Sequence, residues 1–79
     1  MNAPRYTKAA KKSLTAMDAH LRDHIKKAVN AIPRGDVKPL KGRDNLYRLR
    51  VGGWRIVFAI EGNTAIVLKI APRGDVYKK

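Results

Sequence analysis

Two periods divide the chain. From Thr7 to Ile32 apolar residues recur every three or four positions, and from Tyr47 onward they alternate with polar ones. Ala10, Leu14 and Met17 fall on one face of a helix, with Thr7 placed to cap its N-terminus. Asp18 can cap a second helix whose stripe is Leu21, Ile25, Ala28, Val29 and Ile32. Pro33 and Gly35 stop it. The turn between the helices is short, so they should form an αα-hairpin. Arg5 and Tyr6 can belong to a short leading strand.

Beyond the second helix, Arg34 to Pro39 reads as turn chemistry. Tyr47-Arg-Leu-Arg-Val is a strict alternation and reads as a strand; Gly52-Gly53 is a two-residue hairpin turn; Trp54 to Ile60 is the return strand. Glu61-Gly-Asn-Thr turns again before a third strand, Ala65 to Ala71, which Pro72 ends. The order predicts one α+β domain over residues 1–79. Its N-terminal αα-hairpin packs on one face of a small antiparallel β-sheet.

The Gly52-Gly53 turn sets the register. Val51 faces Trp54, Arg50 faces Arg55, Leu49 faces Ile56, Arg48 faces Val57 and Tyr47 faces Phe58. The apolar members of these pairs, Trp54 included, share the side that packs on the helices, while Arg48, Arg50 and Arg55 share the other. A two-residue Gly62-Asn63 loop would carry Lys69 into the core, where an unpaired ammonium is costly. A three-residue loop, Gly62 to Thr64, is therefore expected. It puts Ile66, Leu68 and Ile70 in the core and Lys69 beside the arginines.

Charge sharpens this picture. The 79 residues carry 18 Lys plus Arg against 6 Asp plus Glu, a net charge of +12. The halves are equally basic, but Arg, the residue suited to planar contacts with phosphate, concentrates in the second. An anionic partner is implied. The absence of cysteine excludes disulfides, thiol nucleophiles and thiolate zinc sites. The apolar run around Ile56 to Ile60 is too short to span a membrane, and a cytoplasmic setting is expected. Arg50 opposite Arg55 is unfavourable in a purely structural sheet, and the nearest acids, Asp44 and Glu61, fall in loops. Such a cluster makes sense where an anion docks.

Other candidates are weaker. His20 and His24 are four apart on a helix but lack a third ligand. Trp54 could stack a base, although its face is the core face. The two Arg-Gly-Asp tripeptides, at Arg34 and Arg73, read as turns.

Leu40-Lys-Gly, the run Tyr47-Arg-Leu-Arg-Val-Gly-Gly-Trp-Arg-Ile-Val-Phe-Ala-Ile, and the closing Arg73-Gly-Asp-Val-Tyr77 together resemble the RelE branch of the RelE/ParE toxin superfamily. The resemblance covers essentially the whole chain. It implies the toxin of a type II toxin–antitoxin pair that cuts mRNA in the ribosomal A site, needs no metal or cofactor, and is held in a hetero-oligomer by an acidic, RelB-like antitoxin. Family functional positions match Arg48, Arg50, Arg55, Arg73 and Tyr77. Lys69, placed by the register, and Lys41 and Arg43 are further candidate RNA contacts that the family pattern does not supply. Better-studied members often have Lys where Arg48 and Arg50 stand. Arg stays protonated and is a poor general base, so Tyr77 becomes the candidate for that role. A ParE-like gyrase inhibitor and a non-catalytic nucleic-acid-binding module are the alternatives.

Overall fold

The computed structural model describes residues 2–42 and 44–72. In chain order the elements are β1 (Arg5–Tyr6), α1 (Lys8–Thr15), α2 (Ala19–Asn30), β2 (Asp36–Pro39), β3 (Leu46–Val51), β4 (Trp54–Glu61) and β5 (Thr64–Pro72). The strands form a single sheet in the order β1-β5-β4-β3-β2. β1 runs parallel to β5, and every other neighbouring pair is antiparallel. The sheet is therefore mixed, and β2 occupies a stretch that reads as turn in the sequence.

Both helices start where their caps stand. The Thr7 hydroxyl accepts from the Ala10 amide and the Asp18 carboxylate from the Leu21 amide, which satisfies amide donors that a helix N-terminus leaves open. α1 lies against β5 and α2 against β3. Ala10, Leu14 and Met17 from the first helical stripe, and Ile25, Val29 and Ile32 from the second, are buried against Leu49, Val51, Ile56, Phe58, Val67 and Ile70. Arg22 ties the helices together: it donates to the Leu14 and Met17 carbonyls at the end of α1. Gly35 has φ +97°, and a Cβ there would come within 3.2 Å of Leu49 Cδ1. The chain thus needs glycine to pass from α2 into β2.

The β3–β4 register agrees with the sequence reading from Val51–Trp54 to Tyr47–Phe58. The β4–β5 turn does not. Glu61 pairs with Thr64, so the loop is the two-residue Gly62-Asn63, with Gly62 at φ +59°. Lys69 still avoids the core because the register shifts once. Phe58 pairs with Val67 but Val57 pairs with Lys69, leaving Leu68 as an extra residue in a β-bulge. Ala65, Val67 and Ile70 are buried, whereas Ile66 and Leu68 are only half-buried.

The bulge sits where β1 gives way to α1. The Thr7 amide donates to the Val67 carbonyl at 3.0 Å, and its hydroxyl donates to the Leu68 carbonyl at 3.1 Å. One hydroxyl therefore caps α1 and holds the bulge. Thr7→Val, which keeps the shape and removes both bonds, should cost roughly 1–2 kcal/mol. That lowers Tm by about 5–15 °C for a domain of this size, while Thr7→Ser should stay near wild type. Thermal melts of both variants check the coupling; a wild-type Tm for Thr7→Val would refute it.

Candidate nucleic-acid interface

The sheet face away from the helices carries the charge in rows. One row across the strands is Asp36, Arg50, Arg55 and Ala71; the next is Lys38, Arg48, Val57 and Lys69. Strands lie about 4.8 Å apart, so each row is a compact line of side chains on one surface. The following row is apolar, with Leu46, Ala59 and Ile66.

The three arginines differ. Arg48 is buried at 8% exposure. Its Nη1 donates to the Asp36 carbonyl at 3.1 Å and lies 3.4 Å from the Asp36 carboxylate. Arg50 and Arg55 are half-buried and directly opposed across β3 and β4. The Arg50 Nε is buried and has no hydrogen-bond partner among the described residues. A buried donor left open beside a second guanidinium is what an incoming anion would satisfy. Asp36 is the acid that the sequence reading missed. It sits in the Arg34-Gly-Asp tripeptide, and only the Asp36-Val37-Lys38 alternation could have signalled a strand.

Lys69 lies in the second row, as expected, and is exposed; Lys41 is exposed in the β2–β3 connection. Arg43, Arg73 and Tyr77 lie outside the described residues. Trp54 is half-buried rather than enclosed. It packs on the core from the first position of β4 and also lines a groove with α1 and β5. His20 and His24 are exposed on α2, and no group of three or more His, Cys, Asp or Glu side chains converges among the described residues. Burial pushes the Tyr6 phenol above its ordinary pKa, which disfavours its phenolate and makes it a poor base.

Over residues 5–77 the chain matches the family model described as the ParE toxin of the type II toxin-antitoxin system parDE. It is also 30% identical to Toxin RelE3 of Methanocaldococcus jannaschii over 91% of each chain. The chain belongs to the RelE/ParE family of type II toxins. Its fold follows the toxin of the RelB–RelE antitoxin–toxin complex from Methanococcus jannaschii with a TM-score of 0.77, at 29% identity, covering 92% of this chain and 94% of that one. The toxin–antitoxin complex RelBE2 from Mycobacterium tuberculosis gives a TM-score of 0.74 over 90% of this chain and 96% of that one. At 20% identity the latter likeness concerns the fold. The arginine rows thus lie on a RelE/ParE sheet, on the face opposite its helices.

Proposed function

We propose that this toxin is an mRNA interferase: an endoribonuclease that cuts mRNA in the ribosomal A site and so inhibits translation in the cytoplasm. The observation that supports this most is Arg50 facing Arg55 with an open, buried Nε. In RNA cleavage the 2′-oxygen attacks the adjacent phosphorus and the bond to the 5′-oxygen breaks. One proton leaves the 2′-hydroxyl and one is delivered to the 5′-oxygen. The products are a 2′,3′-cyclic phosphate and a 5′-hydroxyl. Guanidinium donors aimed at the non-bridging oxygens stabilise the charge that builds on the phosphorane.

Arg55 and Arg73 take the scissile phosphate. Arg50 and Arg48 hold its neighbours. Lys69, Lys41 and Arg43 extend the track. No Glu–His pair serves the arginine rows, so catalysis rests on positioning and electrostatics. This is the reason that the ribosome, by fixing the mRNA geometry, would be required. The relatives solved as RelB–RelE complexes and the charge of +12 support an acidic RelB-like antitoxin as the partner in a hetero-oligomer.

The description of the matching family model favours a second reading, a ParE-like gyrase inhibitor. Primer extension on translated mRNA after induction separates the two. Codon-spaced cuts are the expected result. An SOS response with uncut mRNA would establish the gyrase reading instead.

A further inference from the structure

β1 covers β5 only at Ile66 and Val67. Past the bulge, no strand among the described residues flanks the outer edge of β5. There the end of α1 leaves an open groove of about 410 Å³ lined by Ser13, Met17, Trp54, Lys69, Ile70 and Pro72, among others. Trp54 pairs with Pro72 at the end of the sheet, and the next pair inward is Arg55 with Ala71. These two pairs point to opposite faces of the sheet: Trp54 and Pro72 lie on the helix side, and the groove meets the charged face only round the outer edge of β5, where Lys69 of the second charged row lines it. It combines an indole that is half-buried on the core, and so held, with the cation Lys69.

We propose that this groove is a nucleobase subsite, in which Trp54 stacks a base of a single-stranded RNA that runs from the arginine rows round the outer edge of β5 past Lys69. The inference rests on the RNA reading above. A rigid aromatic beside a cationic track is the arrangement that binds single strands: the cations follow the backbone and the ring takes the base. The wall is mixed. Met17, Ile70 and Pro72 suit an apolar ring edge, and Ser13 and Lys69 can donate to base or phosphate oxygens. Among the described residues the only charged group lining it is Lys69, which favours an anionic strand. Stacking tolerates any base, so the subsite adds grip and register rather than sequence choice.

Trp54 is the single tryptophan of the chain, so its fluorescence reports on the groove directly. The probes are a 2′-O-methylated RNA decamer that cannot be cut, the same decamer with one abasic site placed at each position in turn, and inorganic polyphosphate. Anisotropy of a labelled 5′-end measures decamer binding independently, and competition with the labelled decamer measures polyphosphate. The intact decamer should quench Trp54 saturably. The abasic site that vacates the groove should abolish the quench and weaken binding about 5- to 150-fold. Polyphosphate should compete without quenching. Trp54→Phe should bind within about threefold of wild type and Trp54→Leu should show the abasic loss. Should Trp54→Leu fail to fold, the abasic series on the wild-type protein decides.

Saturable binding with unchanged fluorescence, or equal quenching by polyphosphate, would overturn the subsite even where translated mRNA is cut. Base-dependent quenching in a protein that leaves translated mRNA uncut would uphold the subsite and overturn the mRNA-interferase reading.

Discussion

Arg55→Ala should abolish growth inhibition and slow mRNA cleavage by about 10²–10³, the usual loss when one donor to a developing oxyanion is removed. The protein should remain folded. Arg55 stands directly across from Arg50, and like charges in that position oppose each other. Removing one guanidinium relieves that opposition, so Tm should stay within a few degrees of wild type. Arg55→Lys separates charge from geometry: it keeps the cation and loses the planar fork, and should recover only part of the rate. Single-turnover cleavage on programmed ribosomes, read beside a thermal melt, provides the check. A fall in Tm of 10 °C or more would make Arg55 a structural residue and move the chemistry elsewhere.

The same pair shows how far the sequence could be read. Helix stripes and the Gly52-Gly53 hairpin depend on neighbours within a few residues, and both are found where local pattern puts them. The opposition of Arg50 and Arg55 follows from that one turn. β2 was not legible, because Asp36 to Pro39 is four residues long and follows Arg34-Gly35, and its strand character comes from pairing with β3. The bulge was hidden for a related reason. Alternation along β5 assumes an unbroken ladder, and the break at Leu68 is held by Thr7, 61 residues away in sequence. The consequences for the site were opposite. Missing β2 hid Asp36, and with it the ion pair of Arg48. Missing the bulge changed which β5 residues enter the core, yet left Lys69 on the arginine face.

Asp36 bears on the identity of the general base, and Tyr77→Phe tests it. The phenylalanine keeps the ring and removes only the hydroxyl. In the base role proposed for Tyr77, cations close to its hydroxyl would draw the pKa below the ordinary value near 10, because they favour the phenolate. A base acts when deprotonated, so the wild-type rate should climb with pH up to that lowered pKa and then level off. Tyr77→Phe should lower the single-turnover rate by about 10²–10⁴, leave ribosome affinity close to wild type, and erase the rising limb. Asp36 is the carboxylate within the two charged rows among the described residues, and it is engaged by Arg48 at 3.4 Å. Asp36→Asn should therefore preserve the rising limb and reduce the rate modestly, through a less firmly held Arg48. The reverse pattern, with Tyr77→Phe near wild type and Asp36→Asn down by 10² or more, would pass the proton to the carboxylate. The arginine rows would then serve the same role around a different base.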